Sequence, residues 1–505
     1  MNIYNVLFDS YKTYQDQPCL IFNETISSYH EVVERVRKCA QGLGNIGVCE
    51  NDRVAIMVGN KPEYIISYFS ILSVGAIVVP INPLFSEREA SYILNNAEVK
   101  VAIVDNTSLS TVVNAFENCP FLEKIIPVDS KGMNDQNHIY PFSNLLQYGP
   151  KIDICPRSTD DTAQIIYTSG TTGNPKGAMI THGNLSWMAE ALNDLFEVTN
   201  EDRVLCVLPL FHAYAKLQCF LSPIRKGASI YLVEKFDAGE SLSLIDKQKI
   251  SLFFGVPAMF IQFVNSPQVG RYEYNSLRLC VSGGASIPVE IIKKVKENMK
   301  IDIVEGYGMT ETTVLSTCNP YRGLKKYGSI GVPLPGLEMQ VVSDKGEPIP
   351  VGEKGELLVK GPNVMKGYYK KELETNKTIV NGWLYTGDIA RMDEDGYLYI
   401  VDRKKELIIR NGFNVYPREI EEVLYMLPQV EECAIVGVPD EKHGEEIAAY
   451  LVVKASITEE EIQEHYKKLL VPYKWPRMIH FIDQLPKTPS GKIMKKVLRT
   501  IDSIV

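Results

Sequence analysis

Val54-Ala55-Ile56-Met57-Val58 is a run of five apolar residues. Behind it comes Glu63 to Leu72, whose apolar residues recur at helical spacing, and then a second apolar run, Ala76 to Pro80. Glu87 to Leu94 is again helical in pattern, and Val101 to Val104 is β-branched and short. Strand, helix, strand, helix, strand in about fifty residues predicts parallel strands joined by helical crossovers. Outward from this block the same grammar returns. Ala163 to Tyr167, Ser229 to Val233, Leu252 to Val256, Leu277 to Val281 and Ile301 to Val304 all read as strands, and each ends in a Gly-rich or polar segment. Ligands of open α/β sheets bind outside the carboxyl ends of strands, so the chemistry is sought in those segments.

After about Asp402 the style changes. Pro417 to Leu424 reads as a short helix, Glu432 to Val438 and Glu445 to Val453 as strands, and Thr458-x-x-Glu461 as a capping box opening another helix. The expected fold is therefore α/β. A large N-terminal domain of helix-covered sheets, residues 1–402, precedes a small α+β domain, residues 403–505.

Composition narrows the function. The chain has 505 residues, enough for large cores without staples. A net charge of −9 argues against a nucleic-acid binder, which needs a basic face. The ten cysteines form no C-x-x-C pair; Cys19, Cys39, Cys206, Cys219, Cys280 and Cys433 sit in apolar or mixed surroundings, as reduced cytoplasmic thiols do. The N-terminus lacks a signal-peptide pattern. The densest apolar stretch, Gly75 to Ile81, is broken by Pro80 and is too short to span a bilayer. From Lys467 to Arg499 the chain is basic, with Asp483 as its one acid, which suits a solvated face or a surface that meets phosphates.

Tyr167-Thr168-Ser169-Gly170-Thr171-Thr172-Gly173-Asn174-Pro175-Lys176-Gly177 holds the strongest chemical signal. It follows a strand and precedes a helical stretch from about Asn184. Glycines let the backbone curl so that amides point at an anion. The hydroxyls of Thr168, Ser169, Thr171 and Thr172 add donors, and Lys176 adds charge. The spacing is not that of a Walker A loop. Donors and a lysine packed this densely predict phosphate binding.

This segment resembles the phosphate-binding loop of the acyl-adenylate-forming superfamily: acyl-CoA synthetases, aryl-CoA ligases, luciferases and peptide-synthetase adenylation domains. Other segments resemble that family in the required order over nearly the whole chain. Glu305-Gly306-Tyr307-Gly308-Met309-Thr310-Glu311 is similar to the segment against the adenine. The resemblance implies that Thr310 contacts the α-phosphate and that Glu311, with Thr168, holds Mg²⁺, a hard ion that prefers oxygen ligands. Ser282-Gly283-Gly284-Ala285 resembles the strand end that flanks adenine and the acyl pocket. Trp383 to Asp388 resembles the ribose clamp, with Asp388 as acceptor.

In Asp402-Arg403-Lys404-Lys405, Arg403 matches the nucleotide-contacting arginine and Lys405 the hinge. Many members have Gly where this chain has Asp402, a variation common among fatty-acid-type members. Asn411 to Pro417, with Gly412, resembles the loop that meets adenine in one domain orientation and helps form the thiol tunnel in the other. Pro486 to Ile493 resembles the catalytic loop, whose lysine is Lys492 and not Lys487.

The resemblance implies an acid–thiol ligase using ATP, Mg²⁺ and coenzyme A, with a mobile C-terminal domain. The acid is read from Leu208-Pro209-Leu210-Phe211-His212, which is similar to fatty-acyl and 4-coumarate ligases. Peptide-synthetase domains carry Phe-Asp where this chain has Phe211-His212, and a buried ammonium without a carboxylate would be costly. A medium- or long-chain fatty acid is expected, with an aryl acid as the alternative. A carrier protein as acceptor is a further alternative, but the insertion typical of such loaders is not evident between Asp388 and Lys492. A fatty substrate would allow transient membrane contact.

Near the substrate, His212 is expected at the carboxylate, and Tyr214, Gln218, Phe254, Val256 and Val314 as pocket walls. Lys216, four residues after His212, either pairs with a second polar group on the acid or faces solvent.

Overall fold

A computed structural model describes residues 2–129, 138–150, 153–168, 175–440, 442–488 and 493–501. Arg53–Met57 lies inside a seven-stranded sheet, parallel to both Ile77–Pro80, its central strand, and Val99–Val104. The helices between them are Pro62–Ser73 and Glu87–Asn96. Each begins where the sequence dictates: Pro62 at a first helical position, and Ser86 with Glu89 in a reciprocal capping box. Lys124–Pro127 extends the parallel run on one side. Thr162–Thr168 joins it on the other side, pairing with Ile77–Pro80.

A second, nine-stranded sheet carries Arg203–Cys206, Ser229–Leu232, Leu252–Gly255, Leu279–Ser282 and Ile303–Tyr307, all parallel. The last two strands begin two residues later than the sequence reading placed them. The N-terminal hairpin of Pro18–Phe22 and Thr25–Ser28 closes one edge of this sheet.

The layering follows from strand alternation. Val54 and Ile56 belong to an inner core shared with Val204, Ile230 and Leu252 of the other sheet. Ala55 and Met57 belong to an outer core with Ala90, Ile93 and Val112. The second sheet has its own outer core, where Phe253 and Cys280 meet Phe260, Phe263, Ile291 and Val295. Between the sheets runs Pro62–Ser73, buried at every position from Tyr64 to Ser73. It packs on the helix Tyr29–Asn45 and on strands Ile77–Pro80 and Arg53–Met57, and its apolar side chains belong to the core that both large sheets share.

Residues 338–403 depart from the expected alternation. They form an antiparallel sheet of Glu338–Val342, Gly355–Lys360, Trp383–Met392 and Leu398–Arg403, with the short Ile379–Val380 at its edge. Hairpins need no crossover helix, so the helix–strand rhythm is absent there.

The final sheet contains Ile408–Arg410, Phe413–Val415, Val430–Asp440, Gly444–Val453 and Met478–Phe481. Helix Pro417–Tyr425 and helix Glu459–Leu469, the latter opened by the Thr458–Glu461 capping box, pack on it. Among the described residues no helix is long and apolar enough to cross a membrane. All ten cysteines are free.

Candidate active site

The loop of residues 169–174, with Ser169, Gly170, Thr171 and Thr172, lies outside the described residues, but both of its ends are placed. Thr168 closes one strand and Lys176 opens the next, and the two pair across an antiparallel hairpin. Lys176 is therefore the first residue of a strand, Lys176–Thr181, which the sequence reading did not name between the loop and the following helix. That helix, His182–Phe196, is capped by Thr181.

Glu311 sits in the one-turn helix Thr310–Thr312, just beyond strand Ile303–Tyr307. Its carboxylate is buried and accepts from the Thr168 hydroxyl at 3.4 Å and the Tyr368 hydroxyl at 2.9 Å. The Lys176 ammonium lies 5.0 Å from the centre of the Tyr368 ring. Tyr368 thus meets both Lys176 and Glu311, and Glu311 in turn meets Thr168. Tyr368 was missed in the sequence, where Lys366-Gly367-Tyr368-Tyr369 carries no recognisable chemistry. Its antiparallel pairing with Ala178 is what brings it to the hairpin.

The carboxylate and hydroxyl pair suits a hard cation. Both side-chain hydrogen-bond partners that the described residues give Glu311 are neutral hydroxyls, not cations. Among the described residues no cluster of three or more His, Cys, Asp or Glu side chains could hold a metal alone. A cation here would need oxygens from phosphates as well.

A second group forms around Tyr307, at the end of the same strand. Asp388 is 4% exposed and accepts from the Tyr307 hydroxyl at 2.5 Å. Arg403 reaches the same carboxylate at 3.2 Å from the neighbouring strand, where it pairs in register with Asp388. Burial, and then the Asp388 charge, push the Tyr307 hydroxyl well above its ordinary pKa. The ring is thereby fixed beside two charged groups. Glu305, on the same strand, is buried with one oxygen, Oε2, left without a partner. Burial raises its pKa to about 7, and Arg418 pulls the other way.

Gly306 and Gly308 are small for steric reasons. A Cβ at Gly308 would fall 1.8 Å from the Val314 carbonyl oxygen. Gly284 and Ala285 are exposed at the end of Leu279–Ser282, and Gly284 has a φ of +82°. Thr310 is half-buried beside Glu311.

The helix after Phe211 begins with His212 as its cap, the ring Nδ1 accepting from the Tyr214 amide at 3.2 Å. Tyr214 donates to the Gly255 and Val281 carbonyls, closing the carboxyl ends of two strands. Gln218, Phe254 and Val256 are buried, and Val314 is partly buried against the inner core. Helical geometry loosens from Lys216 to Leu221, a π-helical stretch, so the regular spacing expected from His212 to Lys216 ends there. Lys216 is 0% exposed, which rules out the solvent-facing alternative.

Not every expected residue converges. Lys405 is exposed in the turn after Arg403, and Gly412 is exposed at the tip of the hairpin Ile408–Val415. Lys492 lies outside the described residues. The chain on either side of it is pinned, because Lys487 bridges to Ile493 and the Met494 amide donates to the Pro486 carbonyl at 2.8 Å. The basic tail is less solvated than expected. Lys495 is largely buried and pairs with Glu421 at 2.7 Å, and Lys474 and Lys487 pair with Glu419 and Glu432. Asp402 fastens the junction by accepting from the Arg403 and Arg418 amides, and burial raises its pKa to about 6.

The pattern of the AMP-binding enzyme family matches residues 7–369, and that of the AMP-binding enzyme C-terminal domain matches residues 419–492. A long-chain-fatty-acid–CoA ligase of Bacillus subtilis (strain 168) is 36% identical, over 98% of this chain and 93% of that one. 4-Coumarate–CoA ligase 2 of Nicotiana tabacum is 35% identical, over 98% and 94%. Among solved structures, the anthranilate CoA ligase AuaEII in complex with anthranoyl-AMP superposes with a TM-score of 0.94 at 28% identity, covering 100% of this chain and 98% of that one.

Proposed function

The chain belongs to the AMP-binding enzyme family and is an acid–thiol ligase, a CoA ligase of the adenylate-forming kind, and from that premise we propose which acid it takes and which residues do the work. The acid is a medium- or long-chain fatty acid, with an aryl acid as the second reading. The buried Phe254 and Leu208 beside the His212 helix favour the fatty one, and the 4-coumarate relative favours the aryl one. The acceptor is coenzyme A. Ten free thiols fit a cytoplasmic enzyme.

The observation that carries the mechanism is the meeting of Lys176 and Glu311 at Tyr368, with Thr168 on Glu311. Lys176 and the donors of residues 168–172 would hold the triphosphate. Thr168 and Glu311 would hold Mg²⁺, which when bound offsets phosphate charge. Thr310 would meet the α-phosphate. Gly284, Ala285, Glu305, Gly306 and Tyr307 would shape the adenine slot, and Asp388 with Arg403 would clamp the ribose.

In the first step the substrate carboxylate attacks the α-phosphorus, giving acyl-AMP and pyrophosphate. Lys492 would bridge the attacking carboxylate and the phosphate as charge builds. Residues 403–505 would then turn as a domain about Lys405 on residues 1–402, withdrawing Lys492 and bringing Gly412 to a thiol channel past His212. The thiol attacks the acyl carbonyl and AMP leaves. No side chain becomes covalently attached, so positioning and charge carry the rate.

The test is pyrophosphate release across a panel of acids, with and without CoA. Acid-dependent release followed by CoA-dependent AMP release supports the reading. No release with any acid would overturn it.

A further inference from the structure

The hinge assigned to Lys405 is crossed by bonds that a turning domain would have to break. Arg418 lies beyond that hinge, in the first turn of the helix Pro417–Tyr425. Its guanidinium Nη1 donates to the Ile400 carbonyl at 2.8 Å, and Ile400 lies before the hinge, in strand Leu398–Arg403. Its amide donates to the Asp402 carboxylate at 3.3 Å. One residue of the small domain therefore holds the large one by its side chain and its backbone together.

The helix is built to need this hold. Tyr416, just before its first turn, supplies no side-chain cap, and Pro417 at the first helical position has no amide hydrogen. The Arg418 amide is then the first free donor of the helix, where an anion is favoured. Asp402, 5% exposed, supplies that anion from across the hinge, so a carboxylate of one domain caps a helix of the other. Its other oxygen accepts from the Arg403 amide at 2.7 Å, and the Arg403 side chain reaches Asp388. Asp402 thus ties the helix to the pair assigned to the ribose.

Charge shows which orientation is held. Burial raises the Asp402 pKa, and the charge of Lys495, three residues after Lys492, pulls it back down. Burial raises the pKa of Glu305 in the adenine segment, and Arg418 is the cation that opposes it. Arg418 itself is 14% exposed, with Glu422 one turn on at 3.7 Å. The chain beside Lys492 and the first turn of the helix therefore both stand against the nucleotide residues, as the first half-reaction requires. Lys454 with Asn265 at 3.4 Å and Lys354 over the Tyr416 ring cross the same junction through exposed lysines, whose contacts are worth little.

Resting on the domain rotation proposed above, we propose that Asp402 and Arg418 form a latch across the hinge, which holds the small domain in the adenylate-forming orientation and opens before the thiol attacks. Both bonds break as residues 403–505 turn, and water takes over the freed Ile400 carbonyl and Asp402 carboxylate. Arg418 is a positioning residue. It speeds the first half-reaction through the orientation of the domain and holds back the second.

The experiment measures the two half-reactions separately in the whole chain and in Arg418→Met, Arg418→Lys and Asp402→Ala. Pyrophosphate release from acid and ATP reports the first, and thioester formation from supplied acyl-adenylate and CoA reports the second. Arg418→Met should slow the first by about tenfold, the weight of one hydrogen bond from a charged donor, and leave the second as fast or faster. Asp402→Ala should split the halves in the same direction. Arg418→Lys should recover part of the first rate, because an ammonium still offers a donor to the Ile400 carbonyl. Melting temperatures identify the folded variants, and if Arg418→Met does not fold, Arg418→Lys carries the same comparison with a smaller split. Equal slowing of both halves in folded variants, or no change in either, would overturn the latch and leave the ligase reading intact. Equal damage to both halves by Lys492→Ala would instead remove the rotation, and the latch with it. Absence of pyrophosphate from every acid in the wild type is the failure of the ligase reading itself.

Discussion

The Tyr368 hydroxyl donates to the Glu311 carboxylate at 2.9 Å while the Lys176 ammonium lies 5.0 Å from the same ring. A hydroxyl on one side and a π face on the other let one residue set the spacing between the Glu311 carboxylate and the Lys176 ammonium. Tyr368→Phe keeps the ring and removes the hydroxyl. It should lower kcat/KM for ATP by about tenfold, the worth of one hydrogen bond to a charged group, and raise the Mg²⁺ concentration needed for half-maximal rate. Steady-state assays over a magnesium series check both.

Asp388 accepts from Tyr307 and Arg403 at once. Asp388→Asn keeps the shape but loses the charge that holds Arg403. The KM for ATP should rise by roughly ten- to a hundredfold, while the KM for the acid changes much less. An equal rise in both would count against a nucleotide clamp.

Lys492→Ala should slow pyrophosphate formation by about two to three orders of magnitude, the usual cost of losing one transition-state charge partner. Thioester formation from a supplied acyl-adenylate should be nearly unaffected. Parallel assays of the two half-reactions separate these effects, and equal damage to both would contradict the assigned role.

Glu305 carries a pH signature. Its folded pKa is about 7, against an ordinary 4.5, because burial disfavours the charged form. The folded protein therefore holds this proton more tightly than the unfolded chain does. Its contribution to stability falls as pH rises from about 4.5 to about 7 and is flat beyond. Glu305→Gln should gain on the wild type in melting temperature across that window. A difference independent of pH would show that the carboxyl titrates normally.

The parallel sheets were legible because their strands are buried on both faces while outer helices such as Glu87–Asn96 are buried on one, so the sequence pattern marks the borders of Arg53–Met57 and Glu87–Asn96. Residues 338–403 were not, since short half-exposed hairpins leave a weak pattern; Glu338–Val342 shows the mixture of exposed and buried positions. Candidate site residues could be nominated where a motif clusters them, as with Thr310 and Glu311, which the structure places in one helical turn. Tyr368 was not, because its importance comes from a two-residue strand that pairs with a hairpin nearly two hundred positions earlier. The state of Lys216 depends on what surrounds it in three dimensions, and no spacing rule reports that.

The wholly interior helix Pro62–Ser73 has a consequence for anyone who would re-engineer this ligase. Because its side chains belong to the core that both large sheets share, neither sheet can be exchanged for a homologue's without disturbing the packing of its tyrosines, isoleucines and phenylalanine. Grafting of whole halves is closed off, and altered preference for acids must be sought through individual side chains lining that shared interior.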